Sequence, residues 1–145
     1  MNIIGIICAA LSGAAMSIQG VMNTRLGEKI GIYESNMIVQ GTAFALALVA
    51  VLIAGKGNFK EIANINKLYL LGGVIGFIIT LTVMLAIGKL SPTVAISTIL
   101  ISQLTVAAII DAFGLMGSEK VAFEWNKYAG LILMIGGTLL FKWKT

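Results

Sequence analysis

Five stretches of this chain, residues 3–22, 33–54, 68–87, 92–113 and 128–143, are so apolar that charge enters them only at Glu34, Asp111 and Lys142. A helix needs roughly 20 consecutive apolar residues to cross a hydrocarbon core about 30 Å thick. No water is present there, so every backbone polar group must be bonded within the segment, as a helix does. The pattern predicts an all-α membrane protein, with five transmembrane helices in one transmembrane domain over residues 1–145. A soluble domain is excluded by its missing polar shell: 59% of the residues are apolar and 11% charged, and the charges are bunched between the apolar stretches.

The fifth stretch has the shortest uninterrupted apolar core, residues 129–141. Trp125 and Tyr128 on one flank, and Lys142, Trp143 and Lys144 on the other, are the aromatic and cationic residues that anchor helices at membrane interfaces. The first stretch has no Lys or Arg before it, exceeds the 7 to 15 residues of a signal-peptide core, and is followed by further spans, so it is expected to stay as a helix. Cys8, the only cysteine, lies inside it and is expected to act as a small filler, with no disulfide.

The connections are short. In "GKLSPT", Ser91 is an N-cap and Pro92 suits the first helical turn, where its missing N–H is not needed. This predicts a tight turn between antiparallel third and fourth helices. The segments 55–67 and 114–127 are polar and Gly-bearing, and too short for a second domain. Small residues recur at helical spacing at Gly5, Ala9, Gly13 and Ser17, at Gly72, Gly76 and Thr80, and at Gly130, Met134 and Gly137. Such stripes let helix backbones approach closely in lipid.

The chain carries ten Lys plus Arg against six acids, a net charge of +4. The basic residues flank apolar runs, a juxtamembrane pattern; no nucleic-acid partner is expected. Five crossings would place Lys56, Lys60, Lys67, Lys120 and Lys127 on one side and Arg25, Lys29, Lys89, Lys142 and Lys144 on the other. Orientation follows the bias of Lys and Arg in short loops, and here the bias is nil. Both orientations are therefore expected. Two oppositely inserted copies would build the inverted-repeat architecture of secondary transporters, with a site near the midplane, so the expected partner besides lipid is an inverted copy of this chain.

Polar residues interrupt the apolar faces. Gln19 and Asn23 are four residues apart and share a helical face. Glu34, Ser35 and Asn36 open the second span, with Gln40 deeper. Gln103 shares a face with Ala107 and Asp111, and Ser97, Thr98 and Ser102 lie nearby. Polar side chains in a membrane face protein or a watery cavity. Gln19, Asn23, Gln40, Ser97, Ser102 and Gln103 are the candidate cavity lining, with interhelical hydrogen bonding as the other reading of each. Glu34 suits the helix N-terminus; Asp111, near a helix C-terminus, opposes the dipole and needs a cation. Arg25 of an inverted copy is the candidate partner, making Glu34, Asp111 and Arg25 the ion-pair or coupling candidates. With no His, no nucleophile paired with a base, no metal-ligand cluster and no phosphate loop, neither an enzyme nor a cofactor or metal is expected.

The stretches "SIQGVMNTRLGEKIG", "QGTAFALALV", "LYLLGGVIGF" and "ISQLTVAAIIDAFGLMG" together resemble the YdcZ-type, five-helix branch of the drug/metabolite transporter superfamily. The resemblance covers nearly the whole chain. It implies a polytopic exporter of a prokaryotic inner (plasma) membrane, with half the helices of a ten-helix exporter and relatives that occur as single, paired or fused copies. By that likeness Gln19, Asn23, Gln103 and Asp111 match motif positions. The first helix lacks the buried Glu that small four-helix multidrug exporters use for proton exchange, so a small polar metabolite is the expected substrate. The function expected is a dual-topology secondary transporter acting as an antiparallel homodimer by alternating access. A dual-topology ion channel and a non-transporting scaffold or accessory subunit are the alternatives.

Overall fold

A computed structural model describes residues 2–121 and 124–143. Among them are five α-helices and no strand: α1 (Ile3–Ile30), α2 (Ile32–Ala54), α3 (Gly72–Lys89), α4 (Pro92–Phe113) and α5 (Trp125–Lys142). The segments Ile3–Ile30, Ile32–Ala54, Lys67–Lys89 and Pro92–Phe113 are long and apolar enough to cross a membrane. The fifth expected span is a helix too, but it is not among these four. Asn126, Lys127 and Lys142 fall within its 18 residues and dilute its apolar centre. Lys144 and the side chain of Lys142, both counted in the charge balance, lie outside the described residues.

The chain divides into two compact units, Met1–Lys89 and Leu90–Thr145, which part at the short turn between α3 and α4. The second helical segment (32–54 against 33–54) and the fourth (92–113) match their expected bounds within a residue. Ser91 caps α4 as expected, its Oγ accepting from the Val94 N–H at 3.4 Å, with Pro92 in the first turn. Gly114 closes the helix at φ +64, donating its N–H to Ile110 O. Two short 3₁₀ turns, Phe59–Ala63 and Lys67–Leu71, lead into α3. Each is capped by an asparagine, Asn58 and Asn66, that accepts an N–H two residues on.

The first helix departs most from expectation. It was expected to end near Met22 and continues to Ile30. Polarity ends a hydrophobic run but not a helix: Arg25, Leu26, Glu28 and Lys29 are good helix formers. Arg25 Nη1 also pairs with Glu28 Oε2 at 2.9 Å, one turn on. The first connection shrinks to Gly31, at φ +102 and ψ 148. Its N–H donates to Gly27 O and its carbonyl accepts from the Ser35 N–H, both at 3.0 Å. Backbone of this kind is open almost only to glycine, so Gly31→Ala should destabilise the α1–α2 hairpin by about 1–3 kcal/mol. Unfolding in detergent, followed by circular dichroism, measures the loss.

In the first unit α2 runs back against α1, and α3 packs on both near the Gly31 turn. Close approach happens at glycines: a Cβ on Gly20 would lie 2.8 Å from Ile87 Cδ1 and 3.1 Å from Val83 Cγ1. A Cβ on Gly27 would lie 3.6 Å from Ile32, and one on Gly88 3.7 Å from Thr24 Cγ2. The expected stripe lies further along. Gly13, Gly72 and Gly76 meet nothing within 4 Å, and Gly5 meets only Asn2 of its own helix. Away from the turn, residues 2–16 of α1, 41–54 of α2 and 72–75 of α3 are exposed along their whole length.

In the second unit α4 and α5 pack together and leave apolar grooves of about 370 Å³ and about 280 Å³. Among the described residues of the chain, the buried hydrophobics are Met84, Ile87, Val94 and Ala95, while large apolar side chains are exposed on every helix. In water such a surface would drive aggregation. In lipid it is the ordinary outer face, because helices there associate through packing and hydrogen bonds and not through hydrophobicity.

Candidate functional site

The interior of the first unit is polar where its three helices converge. Ser35 and Asn36 are fully buried at 0% exposure, with Thr24 at 6% and Asn23 at 8%. The helical spacing of α2 sets Ser35, Asn36 and Gln40 toward its neighbours. Ser35 Oγ donates to the backbone O of Asn23 at 3.1 Å and touches Met84 Sδ at 3.6 Å. Asn36 Nδ2 donates to Phe77 O at 3.1 Å, and Gln40 Nε2 to Thr80 Oγ1 at 3.4 Å. Thr80 and Thr24 return their own hydroxyl protons to Gly76 O and Gly20 O, one turn back. The cluster ties α2 to both neighbours through polar contacts, and no acid or base belongs to it.

Of the six candidate lining residues, Asn23 and Gln40 come together in this cluster. Gln19 is exposed on α1, and Ser102 and Gln103 are exposed on α4; no side-chain hydrogen bond holds any of the three among the described residues. Ser97 is half-buried and spends its hydroxyl on its own helix, donating to Thr93 O at 2.8 Å and Val94 O at 3.2 Å. The grooves between α4 and α5 are lined by Leu104, Ala108, Leu131 and Met134, and by Thr105, Ile109 and Tyr128, and not by Ser97, Ser102 or Gln103. Trp125 and Tyr128 stand together on α5, ring centroids 6.5 Å apart.

Glu34 is exposed in the first turn of α2, and Asp111 is exposed on α4. Arg25 has an intrachain partner that sequence reasoning overlooked, Glu28, whose carboxylate takes Nη1 at 2.9 and 3.3 Å. Ser35, Asn36 and Thr80 were likewise not nominated. The available signal was the α2 pattern Asn36, Gln40 beside Gly76, Thr80 on α3, polar or small residues four apart on two apolar helices.

Membrane-length apolar helices around a buried hydrogen-bonded cluster define a multi-pass membrane protein. The family model described as "Putative inner membrane exporter, YdcZ" matches residues 4–140. The chain belongs to this family, and it is a multi-pass protein of the inner membrane. No curated protein and no solved structure matches it.

Proposed function

We propose that the chain is a dual-topology secondary transporter, in which two oppositely inserted copies form a ten-helix bundle that exports or exchanges a small polar metabolite by alternating access. In this reading residues 1–145 are one transmembrane domain and α5 is a fifth span. The observation that carries it is the exposure of Gln19 and Gln103, amides without partners on membrane-length helices. Facing lipid, each would cost several kcal/mol, about the transfer cost of an unbonded amide. A second copy, or the aqueous path it encloses, removes that cost. The even division of Lys and Arg between the two faces favours an inverted second copy, and the family's description as exporters favours transport.

The inverted copy also supplies a cation for Asp111. Glu28 holds one terminal nitrogen of Arg25. A guanidinium has five N–H donors, so Arg25 keeps some for Asp111 of the other copy. Glu34, exposed near the same turn, is the remaining coupling candidate.

The test is accessibility of single cysteines placed at either terminus in intact cells. Cys8 is exposed in the chain and is first replaced by Ser. Equal labelling of each terminus from both faces of the membrane is the expected result. Labelling of a given terminus from one face only overturns dual topology.

A further inference from the structure

Among the described residues one buried side-chain polar atom lacks a hydrogen-bond partner, Oδ1 of Asn36. Turning the amide end for end brings no relief, because the group at its other end, Phe77 O, is itself an acceptor. A wholly buried acceptor left empty is rare and calls for a cause beyond packing, since an apolar side chain would fill the same place on α2 without the penalty.

The cause lies in the seam that Asn36 occupies. The helix α1 is fixed to its neighbours by close backbone approach, at Gly20 and Gly88 against α3 and at Gly27 against α2. Between α2 and α3 no glycine plays that part: Gly41, Gly72, Gly73 and Gly76 meet nothing within 4 Å. That seam is closed by Asn36 on Phe77 O, by Ser35 on a sulfur, and by Gln40 on Thr80 at 3.4 Å, beyond the usual hydrogen-bond range. Past Gln40, and before Gly76, both helices stand exposed. Of the helix pairs in this unit, α2 and α3 therefore separate most easily. The groups they would uncover can bond to water instead.

We propose that the α2–α3 seam at Asn36, Gln40 and Thr80 is a ligand subsite that opens to water, with Asn36 Oδ1 accepting an N–H or O–H from the solute. The Thr80 hydroxyl donates to Gly76 O, so once Gln40 swings away it too offers an acceptor. Two acceptors with no carboxylate beside them select a neutral solute rich in donors, such as a polyol or a primary amide. The identity of the solute as cargo rests on the transporter reading; the opening of the seam does not.

The experiment uses the full chain in proteoliposomes, in a Cys8→Ser background, with a membrane-impermeant cationic methanethiosulfonate as the label. Asn36→Cys should react at least about tenfold faster than Met84→Cys, which is equally buried on α3, because only a water-exposed thiolate reacts, and the half-buried Gln40→Cys should react faster still. Acetamide should slow labelling of Gln40→Cys at least about twofold and N,N-dimethylacetamide, which has no N–H, should not. Adding Asn36→Leu should abolish that protection, and Asn36→Leu alone should melt no lower than the wild type. Asn36→Cys as unreactive as Met84→Cys overturns the opening. Equal effects of the two amides overturn the donor preference, and a clearly lower melting temperature for Asn36→Leu assigns Asn36 to structure alone. With the label trapped inside the vesicles as well as added outside, these rates do not depend on which way up the chain is inserted, so failure of dual topology leaves them unchanged.

Discussion

Adding two lysines to the 55–67 segment, Gly57→Lys with Asn64→Lys, is expected to fix the chain in one orientation and to lower solute exchange by about tenfold or more. With α5 as a fifth span the wild-type balance is level, so two extra cations on one face are a large fraction of the bias that orients a small membrane protein. Neither side chain is structural: a Cβ on Gly57 meets open space, and the Asn64 side chain makes only an exposed bond to Glu61 Oε2 at 3.2 Å. The opposite variant, Lys56→Ser with Lys60→Ser, should lock the chain the other way up and be equally inactive. Coexpression of the two should restore exchange, because each then supplies the inverted partner that the other lacks. Cysteine labelling reports the orientation, and flux in proteoliposomes made from the mixed membranes reports the rescue. Two-sided labelling of the lysine variant, or full activity of either variant alone, removes the inverted homodimer.

The second large effect is expected at Gly20. Gly20→Leu should destabilise the first unit by about 1–3 kcal/mol, the usual penalty for forcing bulk into a packed contact. The backbone of α1 lies against Ile87 and Val83 there, and a Cβ already falls within 2.8 Å of the Ile87 side chain. Gly20→Ala should do less, since the nearest atom is the movable tip of Ile87. Gly13→Leu on the same helix meets nothing within 4 Å and should leave unfolding of the isolated chain unchanged. Equilibrium unfolding in mixed detergent micelles ranks the three. A ranking with Gly13→Leu as the most damaging would mean that α1 and α3 pack elsewhere.

These two predictions rest on features that differ in how openly the chain displays them. The start of α4 could be read from "GKLSPT" because its determinants are local: a serine cap and a proline at the first turn. The end of α1 could not, because "NTRLGEKI" is polar enough to read as a loop and helical enough to continue as a helix. The periodic small residues pointed to close helix packing, and within the single chain that packing falls at other glycines. Gly5, Gly13, Gly72 and Gly76 have the spacing, yet Gly20, Gly27 and Gly88 make the contacts. Spacing gives a face, and a face has no address until another helix covers part of it.

The candidate site divides in the same way. That Asn23 and Gln40 could not face lipid follows from the cost of a bare amide in hydrocarbon, which is a property of composition and of the surrounding apolar run. That Ser35, Asn36 and Thr80 join them, and that Asn36 keeps an empty acceptor, depends on which carbonyls α1 and α3 bring within reach.

By itself the sequence determined a helical, membrane-embedded chain. Those properties come from hydropathy and charge, which sum along the chain whatever it touches. Only the tertiary structure decided where helices meet and that the α2–α3 seam is closed by polar contacts. Each of these is fixed by distances between residues far apart in the chain, and no local pattern encodes such a distance.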